Sequence, residues 1–261
     1  KLAKNKIISF VLTIGTMYLM KQYICARAQL VTFILFVLTI YFIERFLETK
    51  KIRYAIGLIV IPILIANLHV ATFYFYFILY LPYIAEFVLY IFAYANVIIS
   101  GAMIDSIRKK IEKQGETEEL LEKLQKVENK HKKLKEKEDS RLEKPYKIKM
   151  TYHDNIKFLI IIMLICLFTG FLTPLGTTPY TYLIKTMQGI STKNIMEHLP
   201  TVLAENKNLL VTFAIYIAVI AFTKVKIRLS DLFLIGGLGL LAILSRRQAS
   251  MFYLIRSDSI K

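Results

Sequence analysis

The stretch ILIANLHVATFYFYF, residues 63–77, decides the fold class, because two hydrogen-bonding side chains stand inside an apolar and aromatic run. Asn67 and His69 would be costly in hydrocarbon without partners. We therefore interpret the stretch as one transmembrane helix that ends near Leu68 and a second that begins near Thr72. Both polar side chains then lie at a membrane interface.

The composition agrees with a membrane protein. The 261 residues are 56% hydrophobic with a mean hydropathy of +0.50, whereas soluble domains are about 45–50% apolar. Long apolar blocks, each near the roughly 20 residues that cross a bilayer, predict an all-α integral membrane protein with about 6–8 transmembrane helices. The blocks are residues 7–20, 29–46, 54–100, 156–173, 209–223 and 232–244.

One charged segment divides the chain. Residues 106–149 contain 15 Lys and Arg against 10 Asp and Glu, a net charge of +5 that favours the cytoplasm. The regularly spaced apolar residues of this segment cover only about two heptads, fewer than a coiled coil needs. This favours a helical hairpin that docks on its own chain, with a break near Gly115, over a dimeric coiled coil. We predict N-terminal transmembrane helices in 1–105, a charged cytoplasmic segment in 106–152, and C-terminal transmembrane helices in 153–261. The spaced residues are Leu120, Leu124, Val127, His131 and Leu134.

Residues 89–104 are either a further span or an interfacial helix. The basic connector near residue 50 and the hairpin are both cytoplasmic if two crossings separate them, which favours the interfacial alternative. The N-terminus is then cytoplasmic. The outer side holds residues 21–28, 67–72, the loop 174–207 and 245–253.

Several cationic and hydroxyl side chains fall on this predicted outer side. Each has an ordinary explanation, such as helix capping by Asn67 or snorkelling by Arg27. Together they predict a site for an anionic, phosphate-bearing ligand, since arginine is well suited to clamp phosphate. The predicted binding residues are Arg27, Gln29, Asn67, His69, Thr177, Tyr180, Lys185, Arg246 and Arg247.

Other functions have less support. The four histidines lack the paired spacing of a metal site, and no cofactor motif is present. The net charge of +16 is typical of basic loops that face anionic lipid, and nucleic-acid binding is not expected. Glu197 and His198 form an acid–imidazole pair that could act in catalysis or simply lie at a solvated surface.

The outer segments resemble, in order and spacing, a group of largely uncharacterised bacterial membrane proteins related to the GT-C glycosyltransferases. Such proteins often show Arg-Pro-Gln, Trp-Ala-Asn-Leu-His-Gly, Asn-Pro-Tyr-Gly and a terminal Ser/Ala-x-Arg cluster. The corresponding stretches here are residues 27–29, 65–70, 173–176 and 245–247, within a similarity that runs from about residue 20 to 255.

The resemblance implies a multi-pass protein of the cell membrane that uses a polyprenyl-phosphate-linked sugar at the outer leaflet. Arg27, Arg246 and Arg247 would hold the lipid phosphate, and Asn67 and His69 would orient the sugar or the acceptor. The catalytic carboxylate of the family would precede residue 1, so the chain is expected to be part of such an enzyme or to lack its chemistry. The alternative is a non-enzymatic lipid-linked glycan transporter or assembly partner, with a protein partner at the cytoplasmic hairpin.

Overall fold

A computed structural model describes residues 6–21, 28–115, 117–143, 148–188, 201–202, 206–222, 226–244, 246 and 249–255. The described residues are predominantly helical, so the predicted all-α class is confirmed. The helices are α1 (Lys6–Met20), α2 (Ala28–Thr49), α3 (Ile52–Leu68), α4 (Phe73–Ile78), α5 (Leu81–Ala93), α6 (Ala95–Gln114), α7 (Glu118–Glu143), α8 (Ile156–Cys166), α9 (Thr178–Gln188), α10 (Lys207–Phe222), α11 (Leu229–Leu244) and α12 (Ala249–Ile255). Two short strands, β1 (Ile148–Lys149) and β2 (Ile227–Arg228), pair in parallel, and 3₁₀ turns cover Val70–Thr72 and Leu167–Phe171.

The core lies where α2 and α3 pack on each other and on α8. Phe36, Leu58 and Leu159 are completely buried there. Close packing of α2 on α3 depends on Gly57, because a Cβ at that position would come within 2.4 Å of the Phe42 ring. Around this centre, α11 packs against α5, and α12 packs against α11, α2 and α1.

The outside of the bundle is apolar. Large hydrophobic side chains are exposed along several helices, among them Phe10, Ile34, Phe92 and Phe168, and Phe222 is 90% exposed. By length and composition, two described helical stretches could cross a membrane, Gln29–Thr49 and Val70–Ala93. The remaining apolar helices of the described residues have only 10–17 residues. Two described stretches therefore have the length of a span, against the 6–8 spans predicted from the sequence.

The helix breaks follow local sequence signals. Helix α3 ends at Leu68, as the sequence predicts, and the following apolar stretch is divided between the 3₁₀ turn, α4 and α5. Pro82 stands in the first turn of α5, where a missing N–H costs no helical hydrogen bond. A single residue, Tyr94, then separates α5 from α6.

The charged segment forms a helical hairpin in which α6 and α7 pack together. Gly115 ends α6 with φ +84°, a conformation that favours glycine. The regularly spaced α7 residues are half-buried, and His131 Nδ1 shares a hydrogen bond of 2.8 Å with Ser100 Oγ. Helix α6 runs unbroken through residues 105 and 106, where the composition changes.

Candidate functional site

Three segments meet at one end of the bundle, which we call the His69 end: the start of α2, the end of α3 and the loop that leads into α9. Thr32, buried in the second turn of α2, shares a hydrogen bond of 2.9 Å between its Oγ1 and His69 Nδ1. Asn67 Nδ2 donates to the carbonyl oxygens of Ile63 at 2.8 Å and Leu172 at 3.1 Å. Two side-chain hydrogen bonds therefore tie α2 and the loop to the end of α3.

The loop into α9 is fixed by aromatic packing. The Tyr180 hydroxyl donates to Leu167 O, and its ring meets Phe73 edge-on, with the ring centroids 5.7 Å apart. A Cβ at buried Gly170 would lie 2.6 Å from the Tyr180 hydroxyl and 2.9 Å from Phe73, so a larger residue there would displace the anchor. The Tyr180 hydroxyl is protonated at neutral pH at its ordinary pKa, and burial raises that pKa further.

The structure brings part of the predicted binding set to this end. Asn67, His69 and Tyr180 contribute through the contacts above, and Gln29 lies half-buried in the first turn of α2. Thr177 and Lys185 are exposed before and within α9, which packs on the Val70–Thr72 turn. Arg27, Arg247, Glu197 and His198 lie outside the described residues.

The direction of α11 indicates that Arg246 lies towards the same end of the bundle. Helix α11 begins beside Glu44, to which the preceding Arg228 is bonded, and Glu44 lies in the C-terminal half of α2. The 16 residues of α11 span about 24 Å, which carries its C-terminus away from Glu44 towards the end where α2 begins. Arg246, two residues after the end of α11, is half-buried.

The described residues of the His69 end supply hydrogen-bond donors but no carboxylate. In the described part of the chain, every Asp and Glu lies at the opposite end of the bundle or in the hairpin. Nor do the described residues group three or more His, Cys, Asp or Glu side chains that could hold a metal. Hydroxyl, amide and imidazole groups, together with the cations Lys185 and Arg246, are the side-chain types that can bind an oxyanion.

The opposite end, which we call the Glu44 end, carries a buried ion network that the sequence analysis does not predict. Glu44, with a side chain only 5% exposed, accepts hydrogen bonds from Arg228 Nη2 at 2.6 Å and Nη1 at 3.1 Å. Tyr83 donates to the same carboxylate at 2.9 Å. Arg228 also donates from Nε and Nη2 to the two oxygens of Asp231, at 3.0 and 2.8 Å. One guanidinium thus joins two carboxylates, and the network connects α2, α5 and α11.

Neighbouring hydrogen bonds hold the segments that enter α8 and α11. Strand β1 pairs with β2 so that Lys149 faces Arg228 in register. Glu86, which is buried in α5, accepts from the backbone N–H of Thr151 at 2.8 Å and from its hydroxyl at 3.0 Å. Asn155 donates to Leu47 O at 2.9 Å. The two connecting segments are therefore paired with each other, and the one that enters α8 is also fixed to α5 and α2.

Electrostatics keeps Arg228 charged. Burial alone would lower its pKa, but the hydrogen bonds to Asp231 and Glu44 raise the pKa well above the ordinary value. Since a buried charge inside an apolar helix is rare and is usually paired, the position of Glu44 within the apolar block 29–46 was the signal that could have revealed this network.

Comparison with known proteins gives no relative: no protein-family model, curated protein or solved structure matches this chain.

Proposed function

We propose that this is a multi-pass protein of the cell membrane. The observation that carries the proposal is the large amount of exposed apolar surface, because soluble monomers rarely expose contiguous hydrophobic patches of more than a few hundred Å². Phe10, Ile34 and Phe222 are exposed on three different helices, and Phe168 is exposed on the 3₁₀ turn after α8. Lipid contacts would cover them. The two long apolar stretches are weaker support, since a buried core helix of a soluble protein can have the same length and composition.

The charges support an orientation with the His69 end outside. The Glu44 end adjoins the basic connector of Lys50, Lys51 and Arg53 and, through β2, that of Lys226 and Arg228. Basic connectors lie preferentially in the cytoplasm. The His69 end then faces the outer leaflet, as the sequence analysis expects.

At that end we place the binding site for a polyprenyl-phosphate-linked sugar, and we propose a GT-C-like glycosyltransferase or a part of one. The contacts of Asn67 and His69, which join α2, α3 and the loop into α9, support the site. Arg246, together with Arg27 and Arg247, would hold the lipid phosphate through charge-assisted hydrogen bonds. Thr177, Tyr180 and Lys185 would line the side that receives the acceptor.

One observation favours the non-enzymatic alternative, a lipid-linked glycan transporter or assembly partner. Transfer of a sugar to a hydroxyl group needs a base, and enzymes commonly use a carboxylate for this. The described residues of the His69 end include none. Glu197, with His198, is the pair in the loop 174–207 that could supply one.

Ligand binding tests the proposal. Replacing Arg246 and Arg247 by Gln removes two cations, and each charge-assisted hydrogen bond contributes about 1.5–3 kcal/mol. We expect the affinity of the purified protein for polyprenyl phosphate to fall at least about tenfold. Arg45→Gln with Arg53→Gln is the matched control, because both residues lie towards the Glu44 end. Equal affinity of the wild-type protein and the Arg246/Arg247 variant would refute the assigned site.

A second measurement separates the enzyme from the transporter. Transfer from a polyprenyl-phosphate sugar that is lost in Glu197→Gln, with lipid binding unchanged, would support the transferase. Lipid binding without any transfer by the wild-type chain would favour the alternative.

A further inference from the structure

Helix α6 has one face that its partner α7 leaves uncovered. Contacts with α7 lie on the other side, where Ser100 bonds His131 and Arg108 Nη2 bonds Glu128 Oε1 at 2.8 Å. At about 100° per residue, the opposite side carries Ile98, Ile99, Ala102 and Met103. All four are exposed. An exposed apolar strip thus follows the first half of the helix.

The same face becomes basic further along. Lys109 and Lys110 fall within the arc of about 140° that contains Ile98, Ile99 and Met103. Both lysines are exposed, and no ion pair to either is found among the described residues. The acidic residues of this helix, Asp105 and Glu112, lie about 90° and 110° from the middle of the arc, so both are outside it.

Helix α7, the other helix of the hairpin, does not carry an excess of positive charge. In α7 the eight basic residues are balanced by eight acidic ones, and its exposed lysines pair along the helix, as in Lys123–Glu119 and Lys126–Glu122. The uncompensated positive charge on an exposed apolar face therefore belongs to α6.

The position of α6 places this face beside lipid if α5 crosses the membrane. Only Tyr94 separates the two helices, and Phe92, the last residue but one of α5, is 75% exposed. Tyr90 and Tyr94 stack at this junction with their ring centroids 4.4 Å apart. Tyrosines concentrate where hydrocarbon meets headgroups. Exposed apolar side chains thus stand on both sides of this junction, at Phe92 in α5 and at Ile98 and Ile99 in α6.

The spacing along α6 fits the thickness of the interface. From Met103 to Lys110 the helix rises about 10 Å. The headgroup region of one leaflet is about 5–8 Å thick. With the axis of α6 along the membrane normal, apolar residues at the edge of the hydrocarbon would place the lysines among or just beyond the phosphates.

We propose that this face of α6 binds the anionic phospholipids of the cytoplasmic leaflet. Ile98, Ile99 and Met103 enter the edge of the hydrocarbon, and Lys109 and Lys110 bind headgroup phosphates. This site differs from the proposed sugar-lipid site at the His69 end, and it rests on the membrane location proposed above.

The sequence contains no tryptophan, so a single introduced Trp reports its own surroundings. Full-length Met103→Trp is reconstituted in vesicles that contain brominated phosphatidylglycerol or brominated phosphatidylcholine in otherwise matched mixtures. We expect stronger quenching by the anionic lipid. Each lysine near the surface contributes about fivefold to the preference for it. Adding Lys109→Gln and Lys110→Gln should abolish that preference, whereas Lys123→Gln with Lys126→Gln, an equal change of charge on α7, should leave it intact.

Any outcome other than preferential quenching by the anionic lipid that depends on the two lysines would refute the proposal. Equal quenching by both lipids would mean neutral insertion without headgroup recognition. No quenching, with self-association that depends on Met103, would mean that a second copy of the chain covers this face. Phe222→Trp in α10 separates this failure from that of the membrane location: if it is quenched and Met103→Trp is not, only the α6 site is wrong. If neither introduced Trp is quenched, the proposed membrane location is wrong.

Discussion

Replacing Glu44 by Gln tests whether the ion network stabilises the Glu44 end. The buried carboxylate accepts bonds from Arg228 and Tyr83. Gln has nearly the same shape, but it removes the charge and turns a donor towards these donors. Removing one partner of a buried ion pair costs about 3–5 kcal/mol. Because Asp231 still pairs with Arg228, we expect the lower value, about 3 kcal/mol.

For a domain of this size, that loss corresponds to a fall in unfolding temperature of about 6–12 °C. The buried thiol of Cys166 provides the assay. In a Cys25→Ser background, a fluorogenic thiol reagent reports the temperature at which the core of the detergent-solubilised protein opens.

Glu48→Gln is the control on the same helix. Glu48 pairs with Arg45 at 2.9 Å, but both side chains are substantially exposed, and such pairs contribute about 0–1 kcal/mol. If Glu44→Gln and Glu48→Gln lower the unfolding temperature equally, the buried network has no special role in stability, and the reasoning from its burial is refuted.

Three further substitutions test other contacts by the same thermal assay. Gly170→Ala forces Tyr180 to shift and should cost about 1–3 kcal/mol, whereas Gly236→Ala, which meets nothing within 4 Å, should cost nothing; equal effects would contradict the close packing. Thr32→Val removes the bond to His69 and should cost about 0.5–1.5 kcal/mol, and an unchanged stability would show that this bond does not hold α2 to α3. Glu86→Leu removes the oxygen that accepts both hydrogen bonds from Thr151 and should cost about 1–3 kcal/mol, with faster hydrogen exchange at the Thr151 amide; unchanged exchange would argue against the clamp.

The sequence predicts features that depend on neighbouring residues. The end of α3 follows from polar side chains inside an apolar run, and the break before α7 follows from Gly115. A charged segment between apolar blocks gives the hairpin. Each of these signals lies within a few residues of the feature that it predicts.

Contacts between distant segments have no such signal. Glu44 and Arg228 are separated by 184 positions, and the connector around Arg228 has the composition of an ordinary basic loop. Asn67 reaches the loop through the carbonyl oxygen of Leu172, a group that every residue possesses. Sequence reasoning could therefore propose that the segments of the His69 end meet, but it could not name the bonds that join them.

The two ends of the bundle differ in how firmly they are closed, and this difference bears on where a ligand can enter. At the His69 end, the loop into α9 is held by neutral, partly exposed hydrogen bonds such as Asn67 to Leu172, each contributing about 0.5–1.5 kcal/mol. At the Glu44 end, opening would have to break three hydrogen bonds to the buried Glu44 carboxylate together, two from Arg228 and one from Tyr83.

Local opening follows the weaker contacts, so the segment that moves to admit a bulky lipid-linked sugar should be residues 172–181. Hydrogen–deuterium exchange on the reconstituted protein should show faster exchange in 172–181 than at Thr151 and Ile227, and polyprenyl phosphate should slow exchange in that loop alone. Protection confined to the Glu44 end would place the ligand there and remove the physical basis for a site beside His69.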